Sequence, residues 1–288
     1  MNIDRRSVIK GVGAGGLAGG LLAGSWVANA PSASAAGDDP VQNILSAAVA
    51  WRVTAAERDM LYRQGFNIAR ERLDAALERR RKKRHRRGRR KPLAFISDID
   101  DTVLSTDPYW KLLIEARKQA LDDPLWDEWI AGNGPTATPG AVAFTQYAKR
   151  KGVQIFYVSN RDQGENTQKY GVANLRKVGM AFADDAHVTM QRDTSNKEPA
   201  QQAIAARYEI IAYLGDNLND FSRRYYVTGV EERRRLATQD ADTYGHSRIL
   251  FPNNTDGHWM RAIFGDSEPL DTPEYRARML AAAKGLVP

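Results

Sequence analysis

The sequence predicts an α/β protein built on a doubly wound, Rossmann-like parallel sheet with helices on both faces. From residue 92 onward, short apolar runs rich in β-branched and aromatic residues alternate with segments of helical period, the pattern of a parallel sheet with crossover helices. Polar clusters follow directly on several of those runs, and ligands of open parallel sheets bind beyond the carboxyl ends of the strands.

The 288 residues bound the rest of the reading. The chain is long enough for one large domain with a sizeable core. It has no cysteine, which excludes disulfides, zinc-thiolate sites and cysteine nucleophiles, and its four histidines form no H-E-x-x-H pair. Residues 1–35 read as an address rather than a fold. Asp4-Arg-Arg-Ser-Val-Ile-Lys10 resembles a twin-arginine export signal, Gly11–Ala30 is a Gly/Ala-rich apolar stretch, and Ala33-Ser-Ala35 is a small-residue cleavage pattern. Seven glycines between Gly11 and Gly24 make the stretch weakly hydrophobic for a permanent membrane span, so cleavage near Ala35 is expected, with no stable membrane insertion afterwards. Export predicts a periplasmic, cell-wall or secreted protein, with the twin-arginine machinery as a partner.

Residues 36–91 are expected to be an N-terminal helical segment ending in a basic run. Residues 36–45 read as a flexible terminus. From Ala55 to Arg81, Tyr62, Phe66, Ala69, Leu73 and Ala76 recur at spacings of three and four and give one apolar face. Residues 79–91 then carry eleven of the 42 basic residues and no acid. The net charge of +7 falls to +5 without the 1–35 segment and to −6 without this run as well. The body is therefore mildly acidic. The strip reads as a solvated loop or as a patch for polyanions; no aromatics interleave it, which argues against a single-strand stacking platform.

Residues 92–288 form the α/β core. Strands are predicted at 93–97, 153–158, 187–190, 210–214 and 248–251. Helices are predicted at 109–129, 139–151, 167–180, 198–207, 258–264 and 273–283. Four polar clusters sit at strand ends or helix starts: Asp98-Ile-Asp100-Asp-Thr102, Ser159-Asn160-Arg161, Lys197, and Gly215-Asp216-Asn-Leu-Asn-Asp220. Singly, each has a plainer reading: an acidic helix cap, a serine cap, a solvated lysine. An EF-hand loop over Asp98–Asp101 lacks the glycine and distal glutamate.

In this order the clusters resemble the haloacid dehalogenase (HAD) superfamily, whose pattern is DxDx[TV], then Ser or Thr, then Lys, then GDxxxD. DIDDTVLSTDPY and YLGDNLNDF, with TPGAVAF, FYVSNRD and FPNNTDGHW, are similar to bacterial class C, nonspecific acid phosphatases over roughly residues 50–265. Asp101 departs from that pattern, which usually has Glu there. The resemblance implies a phosphomonoesterase working through an aspartyl-phosphate. Asp98 would be the nucleophile and Asp100 the general acid and then base. Mg2+ would be held by Asp98, Asp100 (through its carbonyl) and Asp216, with Asp220 behind them. Thr102, Ser159, Asn160 and Lys197 would serve the phosphate, Thr102 also fixing the loop and orienting Asp100.

The resemblance also implies a small helical cap inserted at about 105–138. Tyr109, Trp110, Trp126 and Trp129 could stack a nucleobase or a phenyl leaving group. Tyr109 and Trp110, nearer the nucleophile, are the better candidates, and core packing in the cap is the first reading for Trp126 and Trp129. Arg161 and Asn160 either contact substrate or lock the loop. His258 and Trp259 either line the entrance or pack. The implied substrate is a small phosphate monoester, with nucleoside monophosphates among the candidates. A polyanion-binding or storage protein on a phosphatase scaffold, and a phosphotransferase to alcohol acceptors, are the alternatives.

Overall fold

The computed structural model describes residues 43–82 and 90–287, all within one unit spanning Gly37–Pro288. The export signal and the middle of the basic run lie outside the described residues. Five parallel strands make the main sheet: β1 (Leu93–Ser97), β4 (Gln154–Asn160), β5 (Val188–Gln191), β6 (Glu209–Gly215) and β7 (Arg248–Leu250), in spatial order β5-β4-β1-β6-β7. After β1 the chain builds outward on one side through β4 and β5, then crosses to the other side for β6 and β7. β1 lies at this reversal, where a crevice opens beyond the carboxyl ends of the strands.

Strand alternation divides the core. Leu93 and Phe95 face a cluster with α2 (Ala56–Lys82), α5 (Ala141–Arg150) and α6 (Thr167–Lys177), whereas Ala94 and Ile96 face α7 (Glu198–Arg207) through Ala200 and Ile204. The predicted stripe of α2 is buried as expected, from Tyr62 to Ala76. Tyr62, Phe66 and Leu73 share one cluster with Phe95, Phe144 and Phe251, so α2 is a layer of the main core.

Helix α1 (Ser46–Thr54) was not expected; Leu45 and Val49 anchor it against Tyr109, Trp110 and Trp129. The predicted helix 109–129 is two helices, α3 (Asp107–Glu115) and α4 (Asp123–Ala131). The chain breaks at Arg117, which has a φ of 58°. It restarts at extended Asp122, whose carboxylate accepts from the Leu125 N–H at 3.2 Å, with Pro124 in the first turn. A two-stranded antiparallel ribbon, β2 (Leu104–Ser105) with β3 (Thr136–Ala137), closes the two ends of this cap insertion. Three further helices, α8 (Val230–Gln239), α9 (Trp259–Phe264) and α10 (Pro273–Ala283), complete the chain.

At Gly65, α2 approaches Phe251 so closely that an added Cβ would lie 2.5 Å from the ring. That ring is wedged between Tyr62 and Phe66, with centroids at 5.4 and 4.7 Å. Alanine would gain about 1 kcal/mol of helix propensity, but overpacking an immobile ring costs about 1–3 kcal/mol. Gly65→Ala is therefore expected to lower the melting temperature, a result that thermal unfolding by circular dichroism would check.

Candidate active site

All five main strands deliver their carboxyl ends to one edge, and the predicted clusters converge there. β1 leads into Asp98, whose N–H donates to the Leu214 carbonyl at 2.9 Å and keeps the strand tip paired with β6. The chain then turns on one acceptor: the N–H groups of Thr102, Val103 and Leu104 all point at the Ile99 carbonyl, at 3.3, 2.9 and 2.8 Å. Asp101 takes a left-handed φ of 52° within this turn.

Lys197, at the start of α7, is buried and bonds both Asp98 and Asp220, the latter at 2.7 Å. Burial alone would pull its ammonium down; Asp220 and Asp98 reverse this and hold its pKa above the ordinary lysine value. Burial pushes the Asp98 carboxyl above its usual range despite the pull of Lys197. Burial, then repulsion from Asp220 and Asp98, pushes Asp216 up strongly.

One oxygen from each of Asp98, Asp216 and Asp220 lies within 4.8 Å of the others. Three converging carboxylates share a single ammonium, so negative charge is left over, and every donor is a hard oxygen. These residues fit a hard divalent cation.

Gly215 explains the spacing of its motif. A Cβ there would come within 2.5 Å of the Asp220 Cβ and Oδ2, so only glycine lets the Asp220 carboxylate fold back beside β6. Asp220 Oδ2 accepts from the Asn217 N–H at 2.9 Å, which locks that return.

Asp100 is gripped by both arms of Arg161, Nε to Oδ2 at 2.7 Å and Nη2 to Oδ1 at 2.6 Å. Burial raises the Asp100 pKa, and Arg161 opposes this only in part. Arg161 Nη1 also donates to Asn174 Oδ1 at 2.8 Å, and Asn174 holds the Ile130 carbonyl at 3.1 Å. Its guanidinium is thereby engaged, so Arg161 orients Asp100 instead of presenting a free cation to substrate.

Ser159 is buried at the end of β4 and lines the cavity. Asn160 also lines it, but its amide donates to the Thr194 carbonyl and ties β4 to the following loop. Thr102 does not line the cavity. It is fully buried; its hydroxyl reaches Asp216 Oδ1 at 3.4 Å and its carbonyl accepts from Thr138 Oγ1 at 2.8 Å. It thereby ties the turn after β1 to Asp216 and to Thr138.

Tyr109 is likewise off the cavity. Its ring forms the centre of the cap core, 5.0–5.6 Å from Trp110, Trp126 and Trp129, and its hydroxyl accepts from the Asp122 N–H at 2.8 Å. Trp110 reaches the cavity lining but is 2% exposed, with its indole N–H on Thr106 Oγ1 at 2.9 Å. Half-buried Trp126, for which core packing is the first reading and substrate stacking the second, is the more open aromatic on the wall. His258 lines the cavity, its Nδ1 2.6 Å from Ser267 Oγ; burial pulls its pKa down to about 3, so it stays neutral there.

Sequence reasoning missed a second tier. Arg52 of α1 is fully buried and bonds Asp101, Thr106 Oγ1 (2.9 Å), Asp107 Oδ1 (2.9 Å) and Thr255 Oγ1 (2.7 Å). Burial would lower its pKa, but Asp101 and Asp107 hold it above the ordinary arginine value. It joins the turn after β1 to the loop after β7. In that loop Asn253 Nδ2 donates to Asp216 Oδ2 and to Asp256 Oδ1, both at 2.8 Å. Burial and the Asp101 charge push the Asp256 carboxyl up to about 7. The only signal for this tier was the polar Asn253-Asn-Thr-Asp256 run after the last strand.

Comparison with known proteins agrees with this geometry. Residues 20–259 match the family model described as HAD superfamily, subfamily IIIB (acid phosphatase). The chain belongs to this family. Its fold is similar to that of the class C acid phosphatase from Bacillus anthracis, solved with tungstate bound, with a TM-score of 0.74 and 30% identity over 84% of this chain and 97% of that one. A second structure of the Bacillus anthracis enzyme matches equally, with a TM-score of 0.74. In sequence it is 29% identical over 134 residues to a stem 28 kDa glycoprotein of Glycine max, covering 44% of this chain and 51% of that protein. A stem 31 kDa glycoprotein of Glycine max matches at the same identity over 45% of its length. The chain thus spans about half the length of the curated relatives it matches.

Within this phosphatase fold, Arg52→Met would remove the cation nearest Asp101 and one of the two buried arginines on Asp107, leaving Arg58 at 2.9 Å from Asp107 and 3.9 Å from Asp101. Breaking a buried pair costs about 3–5 kcal/mol. The variant is expected to show a correspondingly lower urea midpoint in equilibrium unfolding, with an unchanged dependence on urea concentration if the fold stays two-state.

Proposed function

We propose that this protein is an exported, magnesium-dependent acid phosphatase that hydrolyses small phosphate monoesters through an aspartyl-phosphate on Asp98. The observation that carries this reading is Lys197 bonded to both Asp98 and Asp220, with Asp216 beside them, at the carboxyl edge of the sheet. An anionic carboxylate attacks an anionic phosphoryl group only where that repulsion is offset. Lys197 supplies one positive charge to the nucleophile. Asp98, Asp216 and the Asp100 carbonyl would hold Mg2+, with Asp220 behind them; when bound, the ion would neutralise phosphoryl oxygens.

In the first step an Asp98 oxygen forms a bond to phosphorus as the ester P–O bond breaks. Asp100 gives its proton to the departing alkoxide. Its raised pKa favours the protonated acid this step needs, and Arg161 fixes its direction. Ser159 and loop N–H groups would bind phosphoryl oxygens. In the second step water attacks phosphorus, Asp100 takes back a proton, and the bond to Asp98 breaks to release phosphate. The cavity, about 670 Å³, is large enough for a nucleoside monophosphate. The tungstate-bound Bacillus anthracis relative supports an oxyanion site in this fold.

Export rests on the Arg5-Arg6 signal, which lies outside the described residues. Among the described residues no helix is long and apolar enough to cross a membrane. A polyanion contact is favoured by where the basic run departs from the core. Arg80 pairs with Glu209 at 2.7 Å, at the start of β6 and so at the end of that strand away from the site.

Asp98→Asn is expected to lower kcat on an aryl phosphate by about 10³-fold or more without loss of fold; wild-type turnover in a folded variant would sink the mechanism. Chelation should abolish activity and added Mg2+ restore it. Mg2+ should also raise the melting temperature of the wild type, and by less in Asp216→Asn, as calorimetric scans would show.

A further inference from the structure

By local criteria asparagine is a poor choice at position 174. The residue lies inside α6, where asparagine is a weak helix former, and it is fully buried, where an unpaired amide is costly. Both of its N–H groups and its oxygen are engaged. Nδ2 donates to the Ile130 carbonyl at 3.1 Å and to Asn133 Oδ1 at 2.8 Å, and Oδ1 accepts from Arg161 Nη1 at 2.8 Å. Chemistry fixes the orientation of the amide. A carbonyl that can only accept faces its nitrogen, and a cation that can only donate faces its oxygen.

The groups joined in this way belong to different parts of the molecule. Ile130 is fully buried in the cap core, and Asn133 turns the chain after α4 with a left-handed φ of 57°. Lys177, one turn further along α6, donates to the Asn133 carbonyl, so α6 holds this turn at two points. On the other side Arg161, directly after β4, grips Asp100. Its side chain is 1% exposed, with Trp126 of α4 5.8 Å from the guanidinium carbon. Among the described residues only Asp100 and Asn174 accept from that guanidinium. Two parallel bonds fix Asp100 and Arg161 relative to each other, but the pair could still swing together about the torsions of the arginine. The third bond, at Nη1, removes that swing.

We propose that Asn174 is a positioning residue for proton transfer to the leaving oxygen, acting through Arg161 on Asp100 and anchored on the cap turn at Ile130 and Asn133. The proposal rests on the reading of Asp100 as the general acid. It places the control of that acid in a helix of which no residue lines the cavity. The proton on Asp100 moves to the ester oxygen as the P–O bond breaks and the bond from Asp98 to phosphorus forms. An alkoxide is a strong base and leaves slowly without that proton, whereas p-nitrophenolate is a weak base and leaves readily. A misdirected acid therefore slows alkyl esters and hardly affects the aryl ester.

The test measures kcat/KM for an n-alkyl phosphate and for p-nitrophenyl phosphate on the same Mg2+-loaded sample. The alkyl-to-aryl ratio is independent of the folded fraction, so a merely structural role would not move it. In Asn174→Leu the ratio is expected to fall by about tenfold or more, and in Asp100→Asn at least as far. Asn133→Gly keeps the left-handed turn and removes one anchor of Asn174; its ratio is expected to fall by about threefold. An unchanged ratio in Asn174→Leu, with a lowered one in Asp100→Asn, overturns the inference alone. If Asn174→Leu does not fold, an unchanged ratio in Asn133→Gly overturns it instead. An unchanged ratio in Asp100→Asn overturns the acid assignment and the inference with it. Failure of the wild type to hydrolyse either ester overturns the phosphatase reading and, again, the inference with it.

Discussion

The site depends on one ammonium. Lys197 is drawn out of water, where a lone lysine would lose its charge, and it stays charged because Asp98 and Asp220 flank it. The converse holds as well. Asp98, Asp216 and Asp220 crowd together at the tip of the sheet, where burial and mutual repulsion oppose their ionisation. Neither half is tolerable alone. The fold brings them together because β1 and β6 are adjacent and α7 starts beside their carboxyl ends. Gly215 leaves room for Asp220 to turn back toward the lysine.

Around that centre lies a frame of buried arginines. Arg161 aims Asp100 and ties it, through Asn174, to the carbonyl of Ile130 in the cap. Arg52 ties the turn after β1 to the loop after β7, and Asn253 of that loop holds Asp216. Arg233 does the same on the far side, holding Asn217 and Asn219 at 2.9 and 2.8 Å within the turn that carries Asp220. Each is a planar, multi-donor cation whose fork satisfies several acceptors at once, which lysine could not do. The clustered carboxylates at the sheet edge are therefore positioned by groups that themselves have little freedom.

Much of this was legible in the sequence. Apolar runs followed by polar clusters identified the strands and their functional ends. The three-and-four spacing of Tyr62, Phe66, Ala69, Leu73 and Ala76 identified the buried face of α2, and Pro273–Ala283 was read with its observed limits. What escaped was short or shared between distant segments. Helix α1 has only Leu45 and Val49 as anchors, and Arg52, its most consequential residue, reads as solvent-facing in any window. The cap was read as one helix because its apolar residues continue through the break. The break itself is a left-handed Arg117, which no local pattern announces.

The sequence by itself determined the order of the five main strands, the polar clusters at the ends of β1, β4 and β6, and the residue types in them. Those are properties of periodicity and local chain direction. Only the tertiary structure decided which polar side chains meet: that Arg161 grips Asp100, that Thr102 serves Asp216, that Tyr109 is core while Trp126 faces the cavity, and that Asp101 answers a helix some fifty residues away, |i−j| = 49. Pairing of buried charges is fixed by which surfaces pack, and that is a long-range consequence of burying apolar area, without a signature in any local stretch of chain.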